Sequence, residues 1–544
     1  MKSLKPYLLV FALSIVPLVT LFVTPDMVHT HDGPVHLARL AAYYKALSDG
    51  QFPPRWAASL NYGYGTPLLI FMYPLPYLLG SLYLALGFNL IMTFKLLLTT
   101  SFVLSGIFMY AFASLLTKSK PATLLVTLLY QFAPFRFVEL TVRGSVAEAF
   151  AYAFLPAALW GLARIMAHPT YFNLILTSLA SAFLILSHNS ISLIFFMIAF
   201  FYILFFANKT RVRLICLGAL GTGLLLSSFY WLPALLERKY TYGDLFMQAM
   251  YKNHFAPWYQ FFLPNFTNDT KLQTGGVAIS FGAFQVLATI YAIWILIKKK
   301  STSFPLKNLL IFGLTILATS FFFMQPISQF LWERVALLRQ FQFPWRFLSA
   351  AVFATALLAS SLLTLKHFHN PRFLSFFLGL AILSTVYYWW PPLGFDKIDL
   401  NYFWNYPLNT TYFGEADVIW AAGQATGYPK QKVEIVEGQG LISNFSATTT
   451  KQNFAINSPS ATSLVSHTLF FPGWQVYVDG VKTPIQFQDS NWRGLIKFNV
   501  TAGSHLVEII FKESKVRLLA DLISLTTALT LTIGTLKFGK KSWL

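Results

Sequence analysis

The run Thr30-His31-Asp32-Gly33-Pro34-Val35-His36 places two imidazoles and a carboxylate within a few residues of one another. Such groups move protons, hold ions or orient a hydroxyl. Asp32 also stands directly before Gly33-Pro34 and an amphipathic run, where a carboxylate is a helix N-cap contributing roughly 1 kcal/mol. Both readings stand on the residues alone. His31 and His36 are five apart, which departs from the i, i+4 spacing of a helical metal pair, so the motif permits a divalent metal without specifying one.

Three further clusters set charge or imidazole among apolar residues. Arg143-Gly-Ser-Val-Ala-Glu148 follows Glu139, and charges at the mouth of apolar helices are costly unless they pair or meet water. Either Glu139 and Arg143 form an i, i+4 pair, or Arg143 reaches into a polar cavity that Glu148, already inside the next apolar run, also faces. His188-Asn189-Ser190 interrupts an apolar stretch from Leu174 to Phe206. It reads as a tight turn or as a substrate contact. Arg346, between Trp345 and Phe347, either snorkels to lipid phosphates or offers a forked phosphate donor.

The elements that must position these groups are transmembrane. The chain is 56% hydrophobic and 11% charged, with 55 Phe and 14 Trp, and its apolar runs approach the roughly 20 residues that a bilayer-spanning helix needs. A net charge of +20 would suit nucleic acid, but much of the excess lies in short clusters between apolar runs, as cytoplasmic loops require, and this argues against a nucleic-acid partner. Cys216 is the only cysteine, so neither an internal disulfide nor a cysteine metal site is available. The run from Lys5 to Val23 lacks a small-x-small cleavage site and reads as an uncleaved first span.

Inward loops at Lys2 and Lys5, Lys118 and Lys120, Arg164, Lys209 to Arg213, Lys298 to Lys300, Lys366 with Arg372, and Lys537 with Lys540 and Lys541 satisfy the positive-inside pattern with about 12 spans. Both termini are then cytoplasmic in a multi-pass protein of the plasma membrane. Residues 67–87 carry Pro67, Pro74 and Pro76 and read as a re-entrant or surface-packed segment. A full span there makes the count about 13, with two lysines on the wrong side or a second irregular segment. The outward regions are residues 24–66, 139–146, 188–190, 236–278, 326–345 and about 392–513. Within the first, Pro34 to Leu47 has the spacing of an interfacial helix lying flat on the outer leaflet.

Three parts follow: a multi-span membrane domain over 1–391, an extracytoplasmic antiparallel β domain over 392–513, and a final helix with a basic tail over 514–544. Strands are expected at Ser463 to Phe471, Trp474 to Val478, Ile485 to Gln488, Gly494 to Val500 and His505 to Phe511, with Asp479-Gly480 as a tight turn. The domain is either a stabilising cap or a carbohydrate or acceptor binder through Trp404, Trp420, Trp474 or Trp492.

Several motifs carry a family resemblance. The run His31-Asp-Gly-Pro-Val-His36, Tyr73-Pro-Leu-Pro-Tyr77, Arg143-Gly-Ser-Val-Ala-Glu148, Ser187-His-Asn-Ser190 and Phe343-Pro-Trp-Arg-Phe347 resemble the prokaryotic membrane family labelled 6-pyruvoyl-tetrahydropterin synthase-related. No soluble synthase domain or zinc triad accompanies that label here. Phe471-Pro-Gly-Trp and Thr501-Ala-Gly503 look like the extracellular end of membrane glycosyltransferases that decorate envelope polymers, and both resemble the wider GT-C class.

The resemblance implies a GT-C-like helical bundle. It also implies transfer of a hexosyl or pentosyl group from a polyprenyl-phosphate-linked sugar to a glycan, lipid or protein acceptor beside membrane lipid, by inverting single displacement. Asp32 matches the class's acidic residue after span one and would orient or deprotonate the acceptor. Arg346 or Arg143 would stabilise the departing phosphate. His31, His36, Arg143, Glu148, His188 and Arg346 are the substrate-binding candidates. The first loop lacks an Asp-x-Asp, so no cofactor is specified, although a divalent metal is compatible. The other functional classes are an envelope-lipid transporter or flippase and a non-catalytic envelope assembly factor.

Overall fold

The computed structural model describes residues 4–538 except 118, 247, 264–278, 299–303, 412, 413 and 422. Lys2, Lys118, Lys299, Lys300, Lys540 and Lys541 of the expected inward loops, and part of the expected 236–278 region, lie outside the described residues. Among the described residues seven helices are long and apolar enough to cross a bilayer: Lys5–Phe22, Leu90–Thr117, Val146–Ala167, Asn189–Phe206, Pro305–Phe323, Pro344–Thr364 and Lys515–Lys537. Two bent pairs, Lys120–Gln131 with Pro134–Arg143 and Thr210–Leu226 with Ser228–Tyr240, bring the number to nine. Shorter apolar helices occupy Tyr171–Ser187, Ala283–Ile297 and Pro371–Leu383.

The proline-broken segment behaves differently. Leu68–Phe71 is a single turn, and Leu75–Ala85 restarts after Pro74. At 11 residues the second helix is about 16 Å long, well short of a bilayer's apolar thickness of about 30 Å.

The first loop is not a surface element. Its helix, Gly33–Ser48, starts with Pro34 in the first turn, where a missing N–H costs nothing. An interfacial helix would leave its polar face in water. Here His36 and Tyr43 are buried against Tyr77 of helix Leu75–Ala85, and the chain around 404–410 lies across Arg39 and Lys45. Arg39 donates to the Thr410 carbonyl at 2.8 Å and Lys45 to the Trp404 carbonyl at 2.5 Å. β1 (Met27–Val28) also pairs antiparallel with β2 (Phe395–Asp396), tying both ends of this arrangement together.

The β domain is a sandwich of two antiparallel sheets. β3 (Val433–Glu437), β6 (Thr462–Leu469) and β9 (Leu495–Val500) form one in the order β3-β6-β9. The other has the order β4-β5-β10-β7-β8, from β4 (Leu441–Ala447), β5 (Lys451–Ser458), β7 (Trp474–Val478), β8 (Val481–Thr483) and β10 (Gly503–Phe511).

Asp479 and Gly480 both have positive φ, at 50° and 80°, and join β7 to β8 as the two-residue hairpin their sequence predicts. The strand expected at Ile485 to Gln488 is absent. Pro484 precedes it, and the Asp489 side chain turns the chain by accepting from the Asn491 and Trp492 amides. Trp420 and Trp474 are core residues, against Phe487 and Phe511 respectively, so neither is a surface platform for sugar. The sandwich core also takes in Trp56 and Ile70 from the membrane part.

Candidate functional site

The site is built where the first loop crosses the end of a bent helix. Residues Val138–Arg143 form a π-helical turn, a rare geometry that occurs often at functional sites. Gly144 ends it at φ 65°, a left-handed conformation that suits glycine. The His31 amide donates to the Val142 carbonyl at 3.0 Å and the Asp32 amide to the Arg143 carbonyl at 2.8 Å. Gly33 and Gly144 permit this approach, since a Cβ on either would collide with the Thr30 hydroxyl. Backbone bonds alone therefore set Asp32 beside Arg143.

The Asp32 carboxylate makes no capping hydrogen bond, although Asp32 occupies the N-cap position of Gly33–Ser48. Its Oδ1 accepts from His31 Nδ1 at 2.7 Å, and its Oδ2 lies 3.9 Å from Arg143 Nη2. Burial alone would push the carboxyl up. The His31 hydrogen bond and the Arg143 charge outweigh it and hold Asp32 well below the usual carboxylate range. Asp32 and His31 are the more exposed groups here, with side chains 30% and 40% exposed.

Behind them lies a buried ion cluster. Arg143 Nη1 donates to both oxygens of Glu139 at 2.7 Å, and its Nη2 donates to Glu148 Oε1 at 3.0 Å. Arg346 Nε reaches the same Glu148 oxygen at 3.3 Å, and its Nη1 donates to the Phe341 carbonyl and to Gln342 Oε1. Arg346 is buried, so it does not snorkel to lipid. Trp345 supports the Arg143 guanidinium from one side, with the ring centroid 4.9 Å away. His188 sits at the break between two helices. Its Nδ1 accepts from the Ser190 and Ile191 amides and caps the next helix, while its Nε2 faces Glu148 Oε1 at 3.7 Å.

Asp32, Arg143, Glu148, His188 and Arg346 thus converge, with Glu148 at the centre. His36 stands apart: its Nδ1 bonds Tyr77 Oη at 2.7 Å beneath the first-loop helix. Burial pushes this imidazole down to about 4, against the pull of the Asp32 charge. Among the described residues no group of three or more His, Cys, Asp or Glu side chains is placed to hold a metal ion.

Sequence reasoning passed over Tyr73 and Tyr77 as site residues. Tyr73 lies in the break between the two short helices and Tyr77 in the first turn of the second. Tyr73 stacks on His188 at 5.2 Å and on Tyr77 at 5.9 Å, so the two rings join His188 to His36. Arg39 also escaped notice, and it lies against Tyr73 and Tyr77 as well as Thr410. The Tyr-Pro-Leu-Pro-Tyr motif was the available signal.

An uncharacterised protein from Lactococcus lactis subsp. cremoris is 26% identical over 220 residues, which cover 38% of this chain and 36% of that protein. Among solved structures, the arabinofuranosyltransferase AftD from Mycobacteria is similar in a mutant form at a TM-score of 0.48 and 14% identity, over 73% of this chain and 29% of AftD. Another AftD structure matches at 0.43 and 14%, over 71% and 26%. The chain therefore spans little more than a third of that curated relative and under a third of AftD. A family model matches residues 70–389, which include Tyr73, Tyr77, Glu139, Arg143, Glu148, His188 and Arg346. That match takes in more than half of the sequence, and the chain belongs to the family of membrane proteins described as 6-pyruvoyl-tetrahydropterin synthase related.

Proposed function

We propose that the protein is a membrane glycosyltransferase that moves a sugar from a polyprenyl-phosphate donor to a cell-envelope acceptor on the outer face. The observation that carries this reading is the convergence of an ionised, part-exposed carboxylate, Asp32, with two buried arginines and His188. Displacement at an anomeric carbon needs a group to orient or deprotonate the incoming hydroxyl and a cation to stabilise the departing phosphate. Glu139 and Glu148 grip Arg143 from behind, which leaves its Nη2 edge beside Asp32. Arg346 contributes a second guanidinium.

Both buried glutamates are committed to arginine, so neither serves as a nucleophile, and a single inverting displacement fits better than a covalent intermediate. The lipid chain of the donor also has a surface to occupy. Helix Leu75–Ala85 turns Tyr77 toward the site and exposes Leu78 and Leu82 on another face, about one helix diameter, or ~10 Å, away.

Purified protein incubated with a radiolabelled polyprenyl-phosphate sugar and envelope acceptors should transfer label. Asp32→Asn should reduce transfer at least ~100-fold, the lower range for loss of a positioned proton acceptor. Its melting temperature should fall far less than the activity, because the carboxylate makes no capping bond and only its contacts with His31 and Arg143 are weakened. Wild-type protein that transfers nothing while vesicles containing it translocate the donor lipid would replace this reading with a transporter.

A further inference from the structure

We propose that Arg39 binds the phosphate of the lipid donor and receives the charge that gathers on it as the sugar leaves. This rests on the glycosyltransferase reading above and names the cation on the leaving-group side of the site. Arg39 lies seven residues beyond Asp32 on helix Gly33–Ser48, which is two turns along the same face and about 10 Å up the axis. Side chains lean toward the start of a helix, and Arg39 meets Tyr77, the partner of His36 one turn nearer to Asp32.

Spacing decides between the arginines. In an inverting displacement the groups that handle the incoming and the leaving oxygen stand on opposite sides of the anomeric carbon, ~6.5–9.5 Å apart where two carboxyl groups take those parts. Arg143 Nη2 is 3.9 Å from Asp32, too near to grip a phosphate on the far side. Its charge is also answered by Glu139 and Glu148, and that of Arg346 by Glu148. Two glutamates thus balance two arginines. Arg39 differs: its Nε donates to the Thr410 hydroxyl at 3.2 Å and its Nη2 to the Thr410 carbonyl at 2.8 Å, both neutral acceptors, and among the described residues it forms no ion pair. Glu415 adds to its field from beyond bonding distance. A half-buried guanidinium held by neutral oxygens keeps N–H groups for a phosphate.

The surroundings suit a phosphate that carries a lipid chain. Tyr73 and Tyr77 stand beside Arg39 and bring hydroxyl groups to the same spot, and Tyr73 is itself half-buried and stacked on His188. Tyr77 lies in the first turn of helix Leu75–Ala85, whose Leu78 and Leu82 are exposed, so apolar surface for the chain starts at the next residue. The step balances. The acceptor hydroxyl gives its proton to Asp32 and its oxygen lone pair to the anomeric carbon. The bond from that carbon to the phosphate oxygen breaks, and its electron pair stays on the phosphate beside Arg39.

The test measures binding of radiolabelled polyprenyl phosphate to full-length protein in detergent, with unphosphorylated polyprenol as the control ligand. Arg39→Gln should bind polyprenyl phosphate roughly 10- to 100-fold more weakly than wild type, the loss of one charge-assisted contact, and should bind polyprenol as wild type does. Arg39→Lys keeps the charge without the fork and should fall between the two. Thr410→Val removes one neutral tether and leaves the guanidinium, so it should stay within about threefold of wild type. Asp32→Asn should lose transfer and keep its hold on polyprenyl phosphate. Equal binding of polyprenyl phosphate by wild type and by whichever Arg39 variant folds overturns the proposal. A loss shared by polyprenol or matched by Thr410→Val also overturns it, because Arg39 is then only a tie between the helix and Thr410. Wild-type protein that binds polyprenyl phosphate through Arg39 but transfers no sugar upholds this site and overturns the transferase reading alone.

Discussion

Glu148 binds Arg143 and Arg346 and faces His188, so one buried carboxylate holds the positions of three groups that the sequence scatters across two hundred residues. Replacing it with glutamine keeps the volume and removes the charge. Among the described residues Arg346 then has no carboxylate within bonding distance, and Arg143 keeps Glu139 and the more distant Asp32. Breaking a buried ion pair from one side costs about 3–5 kcal/mol, because the remaining charge stays desolvated. Glu148→Gln should therefore melt well below wild type in the same detergent, and transfer should fall even at temperatures where it remains folded. Unchanged melting would mean that water reaches the cluster and that Glu148 is no hub. The i, i+4 pair that the sequence offers for Glu139 and Arg143 forms, and the same guanidinium also binds Glu148.

Among the elements, the π-helical turn decides the geometry, and Gly144 is its weakest point to perturb. Alanine there must adopt the left-handed region at a cost of about 1–2 kcal/mol and must also displace the Thr30 hydroxyl. Gly144→Ala should lower the melting temperature and separate Asp32 from Arg143, and a second change, Thr30→Ala, should recover part of the loss by removing the nearer obstacle. A Gly144→Ala protein as stable and active as wild type would show that the junction is slack.

This level of detail marks how far the sequence could be read. Long apolar runs, the Asp479-Gly480 turn and the strands around Trp474–Val478 and Gly503–Phe511 announce themselves, because periodicity and turn chemistry are local. β4 was invisible: Leu441–Ala447 is largely exposed and rich in serine and asparagine, so no apolar alternation marks it. The first-loop helix was legible as a helix but not as a buried one. Its cover comes from residues some 370 positions away, and tertiary burial of that kind leaves no local trace.

At the scale of the whole molecule, the first loop is the rivet between sandwich and membrane domain. Trp56 packs on Trp474 and Phe511 inside the sandwich, while its neighbour Arg55 bonds Asp521 of the last helix and the Phe229 carbonyl of a bent pair. A third contact is sensitive to pH. Lys432 of the β domain reaches the Gly63 carbonyl of the loop at 2.6 Å and the His467 carbonyl at 2.8 Å, beside the His467–Glu434 pair. Burial pushes its amine down to about 7. An unfolded lysine holds its proton up to about 10.4, so between roughly pH 7 and pH 10 the unfolded chain binds the extra proton. Stability should then rise with pH through that window, by at most about 1.4 kcal/mol per pH unit, and the gain should be lost again as pH falls toward 7. Lys432→Met has no proton to bind. The melting temperature of wild type, measured by tryptophan fluorescence in detergent, should climb relative to Lys432→Met from pH 7 to pH 9, with both proteins otherwise sharing every titrating group. Parallel curves would show that Lys432 stays charged in the folded protein over this range.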